Sequence, residues 1–155
     1  MEDLKFGDTK NSLIDETRTR VEKLLIDSFP DYVAFENGAY AVSRGSTRVM
    51  IVVRSFAETD CVVECTAHVV VGATITPELM SFLLRKNAEV HFGAFGLLFD
   101  NTIIFTHSIT GANMDRSELI TTVAATAIIA DHYDDEIVQM AGGKRASDIT
   151  IIDEN

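Results

Sequence analysis

The second half of the chain constrains the fold most, because a start or stop signal stands at nearly every element boundary. Thr76-Pro77-Glu78 opens a helix with a capping side chain, a proline that fits the first turn, and an acid near the positive end of the helix dipole. Asp115 opens a last helix in a capping-box pattern with Glu118, and Gly142-Gly143 ends that helix. Between the two helices, Asp100-Asn101 separates two apolar runs and predicts the turn of a β-hairpin.

The first half of the chain predicts one helix and three strands. A stripe of residues at helical spacing indicates a helix that starts with Asn11 or Ser12 as its cap and ends before Phe29-Pro30. The stripe consists of Ile14, Thr17, Val21, Leu24, Leu25 and Ser28. The predicted strands are 33–42, which Asn37-Gly38 interrupts, 47–56 and 61–71.

These elements predict an α+β fold in which helices pack on an antiparallel sheet, in the order α-β-β-β-α-β-β-α. Residues 1–10 are expected to form a flexible N-terminal segment, residues 11–143 a single domain and residues 144–155 a C-terminal tail. In the tail, the isoleucines at 149, 151 and 152 either add an edge strand or stay mobile. The 155 residues, 46% of them hydrophobic, suffice for one core without disulfides or metals.

Charge and cysteine content narrow the range of partners and compartments. The net charge of −11 argues against nucleic acid, whose binding needs clustered cations, and against anionic membrane surfaces. The first ten residues lack the apolar segment of a signal peptide. Cys61 and Cys65 are predicted on one face of one strand, with Cα atoms roughly 13 Å apart, which is too far for a mutual disulfide. Two buried thiols indicate a reducing, cytoplasmic location.

One candidate metal site combines Cys61, Cys65 and His68, which are close in the sequence. Strand alternation argues against it, because the two thiols face one side of the strand and His68 faces the other. Buried core thiols are the favoured interpretation, and no metal or other cofactor is predicted. His107 alternates with apolar residues in the hairpin, so we interpret it as a satisfied core histidine whose pKa is lowered by burial.

The polar run 131–136 is a second candidate for chemistry. His132 and Glu136 share a helical face that suits a divalent cation, although charge runs are usually solvated helix ends. A Tyr133 ring packed on the sheet explains that residue without chemistry. No nucleophile stands in a recognisable arrangement with a base, so no catalytic residue is predicted. Two alternative functions stay open: a metal-dependent regulator or uncharacterised enzyme that uses this cluster, and a small-molecule sensor with a pocket under the last helix.

Apolar side chains in excess of one core indicate surfaces for partners. Alternation places a group of apolar residues on the face of strands 47–56 and 61–71 that points away from the core, within a polar rim typical of partner sites. The predicted partner-binding residues are Met50, Val52, Phe56, Val62 and Val70. The alternative is that a helix covers this face. The helix after Thr76 has a wider apolar arc than one sheet contact requires, so Leu79, Phe82 and Leu83 are predicted to form a dimer interface.

Several segments of the second half resemble the YbjN family of bacterial proteins, within the type III secretion chaperone-like fold. They are Leu83-Leu-Arg-Lys-Asn87, Gly93-Ala-Phe-Gly-Leu-Leu-Phe99, Thr102-Ile-Ile-Phe-Thr-His107, Met114-Asp115 with Glu118-Leu119, and Ala130-Asp-His-Tyr-Asp134. In that family a similar helix, short-turn hairpin and helix ending in a Tyr-Asp pair recur. The rest of the chain resembles the fold in its element order.

The resemblance implies a non-enzymatic, cytoplasmic, chaperone-like or regulatory adaptor. Secretion chaperones of this fold are small acidic dimers that hold an extended client segment against apolar patches on the sheet and the first helix. The chain is therefore expected to form a homodimer and to bind a protein or peptide client through apolar surface on its sheet.

Overall fold

Three helices pack against one face of an antiparallel sheet in the computed structural model, which describes residues 7–149. The helices are α1 (Asn11–Ser28), α2 (Pro77–Glu89) and α3 (Arg116–Ala141). The strands are β1 (Val33–Ala34), β2 (Tyr40–Arg44), β3 (Thr47–Ala57), β4 (Asp60–Val71), β5 (Ala94–Leu97), β6 (Ile103–Thr110) and β7 (Lys144–Arg145). The predicted α+β class and element order are confirmed, including the division of the first strand at Asn37-Gly38.

The sheet runs in the spatial order β1-β2-β3-β4-β6-β5, and β7 pairs with the end of β4. Strand β7 was not predicted, because the polar pair Lys144–Arg145 forms it instead of the apolar Ile149. Ile151 and Ile152, the other candidates for an edge strand, lie outside the described residues. Within residues 7–149, no helix combines the length and the apolar content needed to cross a membrane.

The helix boundaries follow the capping chemistry of the sequence. The Thr76 hydroxyl accepts a hydrogen bond from the Leu79 N–H at 3.1 Å. At α3, the Asp115 carboxylate accepts from the Glu118 N–H at 2.8 Å and the Glu118 carboxylate accepts from the Asp115 N–H at 2.9 Å, which completes the predicted capping box. The predicted cap of α1 is wrong: Lys10 occupies the capping position and makes no side-chain cap bond.

The core lies between the helices and one face of the central strands. Helix α1 contributes Val21 and Leu25, and α3 contributes Leu119 and Val123, all fully buried. The sheet contributes the alternating residues of β3 and β4, with Phe105 of β6. Because every helix uses this same face, the core determines which side of the sheet stays uncovered.

The N-terminal segment is anchored before α1 begins. Thr9 is buried, and its hydroxyl oxygen lies 2.7 Å from the carbonyl oxygens of both Ala57 and Asp60. The same oxygen accepts a hydrogen bond from the Phe56 N–H at 3.0 Å. Residues 1–6, most of the segment predicted to be flexible, lie outside the described residues.

Candidate functional site

None of the three α-helices lies over the second face of the sheet, which we call the open face, and the short 3-10 helix Ala146–Asp148 borders it at the ends of β3 and β4. The strand register places Val33 of β1, Ala41 of β2 and Met50 of β3 side by side on it, and Val52 follows Met50 along β3. These residues form an apolar stripe in which Val33 is exposed, Met50 and Val52 are partly exposed and the small Ala41 between them is buried. The alternative that an α-helix covers this face does not hold for the described residues.

The part of the open face next to the stripe, on β4 and β6, is polar. Thr66 stands opposite Met50 and Glu64 stands opposite Val52 on β4. The Thr66 hydroxyl lies 3.0 Å from the hydroxyl of Thr106 on β6. The open face therefore combines an apolar stripe on β1 to β3 with hydroxyl and carboxylate groups on β4 and β6, rather than one round apolar patch.

The predicted partner-binding residues do not all belong to this stripe. Val62 is separated from Val52 by the ion pair of Arg54 and Glu64, whose Nε and Oε1 atoms are 3.1 Å apart. Phe56 lies at a β-bulge at the end of β3 and is partly buried.

The prediction that Val70 is on the open face is wrong, because Val70 is 0% exposed within the core. A bulge between His68 and Val70 breaks the alternation of β4, so Val69 and Val70 are both buried. Strands β6 and β7 both pair at Val70 and enclose it from two sides.

Helix α2 exposes different residues from those predicted. Leu79 is 0% exposed and belongs to the core, so its prediction as an interface residue is wrong. Phe82 and Leu83 are partly buried against the core. The outward side of the helix carries Met80 and Leu84, and Leu84 is 70% exposed. An apolar arc wide enough for two contacts does not show which part turns inward, because that depends on where the helix crosses the sheet edge.

The two cysteines are free and buried, as predicted. Burial raises the pKa of the Cys65 thiol to about 12, so it stays protonated and unreactive at neutral pH. The described residues contain no group of three or more histidine, cysteine or acidic side chains placed to hold a metal ion.

His107 and the residues of the 131–136 run differ in their burial and in their contacts. Burial lowers the pKa of His107, as predicted, but its buried Nδ1 has no hydrogen-bond partner within residues 7–149, so the prediction of a satisfied core histidine is wrong for the described chain. Its ring stacks on Phe92, with centroids 5.6 Å apart. Tyr133 packs edge-on against Phe95 of β5 at 5.5 Å, as the sequence suggested. His132 is exposed, whereas Asp134 is buried, so the run is not uniformly solvated.

A pocket of about 430 Å³ lies beside α3, between that helix and the ends of β3 and β4. Its wall includes Ala130 and Asp134 of α3 and Met50 and His68 of the open face. The pocket thus connects the open face with the helix layer.

Sequence reasoning missed the exposed residues at the tip of the β5–β6 hairpin. Leu97, Leu98 and Phe99 are all exposed, and Phe99 is fully so. Asn101 adopts a left-handed conformation with φ of 64°, which Asn tolerates, and Asp100 accepts a hydrogen bond from the Thr102 N–H at 2.9 Å. The sequence did contain a signal for this exposure, namely three consecutive apolar residues before a tight turn. In a strand with one buried face, at most every second side chain points into the core, so a run of three must expose at least one.

The one-sided helix layer, the continuous antiparallel sheet and the uncovered face define a class of small α+β protein. A chain of the crystal structure titled "Crystal Structure of the ExsC-ExsE Complex" has this fold, with a TM-score of 0.59 and 16% sequence identity, over 77% of this chain and 95% of that one. The family model TY-Chap1, described as "T3SS (YopN, CesT) and YbjN peptide-binding chaperone 1", matches residues 15–149. The protein therefore belongs to this family of peptide-binding chaperones, and the predicted resemblance is confirmed. No curated protein matches the chain.

Proposed function

We propose that the protein is a non-enzymatic chaperone or adaptor that holds an extended segment of a client protein on the open face of its sheet. The observation that carries the proposal is the apolar stripe around Met50 and Val52, which no described α-helix covers. Apolar surface with a polar rim is typical of partner sites. Membership of a peptide-binding chaperone family supports the same conclusion.

The edge of β3 gives an extended segment a second means of attachment. Strand β2 ends its pairing at Tyr40 opposite Ile51, so Val52, Val53 and Arg54 have no described strand on that side. A groove of about 600 Å³ runs along this edge, lined by Ile14 and Arg18 of α1 as well as by Val53 and Ser55. The N-terminal residues 8–11 line the other wall of this groove, and a peptide that enters it could pair with the edge of β3 and place alternate side chains on the stripe.

The outward side of α2 supports the proposal of a homodimer. Met80 and Leu84 are one helical turn apart and exposed, with Phe82 and Leu83 partly exposed beside them. The interface in this proposal therefore keeps Phe82 and Leu83, replaces the buried Leu79 and leaves the open face available to the client.

The experiment that tests client binding uses peptides selected from a random library on the immobilised full-length protein. The affinity of the best peptide is then measured by calorimetry against wild type and the Met50→Asp/Val52→Asp double variant. We expect the variant to lose at least about tenfold in affinity, because two buried carboxylates without partners oppose apolar contact.

The matched control is Ile128→Asp, which places the same charge on an exposed apolar position of α3, 54% exposed, on the opposite side of the sheet. It should bind the peptide like wild type. Equal affinities of the double variant and the control would show that the open face is not the peptide site.

A further inference from the structure

The sheet has a gap between β3 and β7. The first pair of β3 with β4 at this end is Val49 with Ala67, and β7 pairs with β4 only from Val70 onward. Because Val70 already pairs with Ile103 of β6 on one side, β7 lies on the other side, in line with β3. His68 and Val69 therefore have no described strand paired with them on that side, and the short 3-10 helix Ala146–Asp148, which directly follows β7, contacts both β3 and β4 there.

The gap leads into the pocket of about 430 Å³. Its apolar wall consists of Met50, Val69, Val71, Ala130 and Ile149. The hydroxyl-bearing residues Ser46, Thr47 and Ser147 line it as well. This volume falls within the range of small-ligand sites, and its mixture of apolar walls with few polar groups is typical of them.

One buried acid in the pocket wall, Asp134, has no side-chain partner among the described residues. Asp134 is 5% exposed, and within the described chain its carboxylate has no hydrogen bond or ion pair with another side chain. Burial is the main cause that raises its pKa, Asp135 and Asp131 add to it, and the backbone N–H of Asp135 and the charge of Arg145 oppose it. Arg145 is itself held by Asp148, with Nε and Oδ2 2.9 Å apart.

Among the described residues, no charged group that lines the pocket forms an ion pair with Asp134, and Arg48 is the one Lys or Arg side chain in that lining. The guanidinium of Arg48 lies over the ring of Phe35, 5.5 Å from its centroid. Asp100 is a second acid in the lining, and His68 is exposed at the rim. A buried carboxylate is costly unless a cation or hydrogen-bond donor reaches it, so the pocket is complementary to a positively charged group.

We propose that this pocket binds an alkylammonium or alkylguanidinium group, with Asp134 as its counter-ion and the apolar wall around its stem. A short methylene stem suits Met50, Val69 and Ile149, as lysine and arginine stems do in protein contacts. The cation has two sources, a lysine or arginine side chain of a client and a free amine. Only the first source rests on the proposed function.

The test titrates ¹⁵N-labelled full-length protein with n-butylammonium and n-butylguanidinium, and separately with n-butanol and butyrate as neutral and anionic probes of similar size. We expect saturable shifts of the Val69, Ala130 and Asp134 amide resonances with the two cations and none with the other probes at equal concentration. Asp134→Asn should weaken binding of the cations at least about tenfold. Glu136→Gln, which removes one exposed charge from the same helix outside the pocket lining, should leave it unchanged.

A second variant keeps the test valid if Asp134→Asn perturbs the fold. Ser147→Trp fills the pocket from its exposed wall and should abolish binding while Asp134 stays in place. Binding of n-butanol as strong as that of n-butylammonium would overturn the proposal. So would equal effects of Asp134→Asn and Glu136→Gln.

A capped peptide with a central arginine, compared with the same peptide carrying neutral citrulline, distinguishes the two sources. If a client side chain is the ligand, the arginine peptide binds at least about tenfold more tightly than n-butylguanidinium, and Val52→Asp removes that gain without affecting the small cation. If a free amine is the ligand, the peptide gains nothing and Val52→Asp has no effect. Either result supports a cation site in the pocket. The absence of a gain for the arginine peptide counts only against the proposal that a client side chain is the ligand. Failure of every cation to bind would refute the pocket itself.

Discussion

Strands β3 and β4 have two different sides. On the covered side, Val49, Ile51 and Val53 are buried and stand opposite Ala67, Cys65 and Val63, which are buried as well. On the open side, Met50 and Val52 stand opposite Thr66 and Glu64. Packing accounts for every apolar residue of the first set, whereas no described α-helix accounts for Met50 and Val52. Packing in the core explains the covered side, and the partner binding that we propose would explain the open one.

The strongest test of this comparison is Phe105→Ala on β6. Phe105 is fully buried and meets Phe95 edge-on, with ring centroids 5.1 Å apart. Its truncation should reduce the free energy of unfolding by about 3–5 kcal/mol, as measured by urea denaturation, because a cavity replaces the ring. Ile104→Ala, its partly exposed neighbour on the open side, is the control and should lose less than about 1.5 kcal/mol. Similar losses at both positions would contradict the distinction between the two sides.

The oligomeric state tests whether the open side is available to a client, because a dimer formed through the open face would occupy the proposed client site. We expect light scattering to give twice 17.0 kDa for wild type and 17.0 kDa for Leu84→Asp. Ile128→Asp, also on an exposed helix position, should remain dimeric. If Val52→Asp dissociates the protein and Leu84→Asp does not, the open face is the dimer interface.

Alternation predicted both sides of the central strands as far as residue 69, because a buried side needs every second residue to be apolar. It failed at Val70, where the bulge depends on the partners β6 and β7, which the β4 sequence does not contain. Alternation also cannot show that Thr66 and Glu64 lie beside Met50 and Val52, since that follows from register. The predicted patch therefore became a stripe with a polar flank.

The helix layer shows the same division between local and tertiary causes. The starts of α2 and α3 followed from capping side chains within four residues of each other. The burial of Leu79 and Asp134 depends on how α2 and α3 cross the sheet, which capping does not determine. The pocket was expected only as an open alternative under the last helix, and the gap between β3 and β7 that forms it requires a strand that the sequence did not predict.

A smaller effect on stability is expected from Asp134→Asn, which removes a buried ionisable group from helix α3 on the covered side. Its raised pKa means that the folded state holds its proton more tightly than the unfolded state, so stability falls as pH rises from the ordinary value of 3.8 through the raised value. Asp134→Asn should therefore melt higher than wild type at pH 7, by less than about 4 °C. Melting curves should converge below about pH 3, where the carboxyl is mostly protonated in both states. A lower melting temperature at pH 7 would mean that the charge is already compensated.

The smallest expected effect is on the stability of Val52→Asp. The open side gives this residue no apolar neighbour opposite it on β4, and a new carboxylate there remains in contact with water. Its proximity to Glu64 adds weak repulsion that salt screens. The free energy of unfolding should change by no more than about 0.5 kcal/mol in 0.15 M salt, although peptide affinity falls. A loss comparable to that of Phe105→Ala would show that Val52 is part of the folding core, and the stripe would then need no partner to explain it.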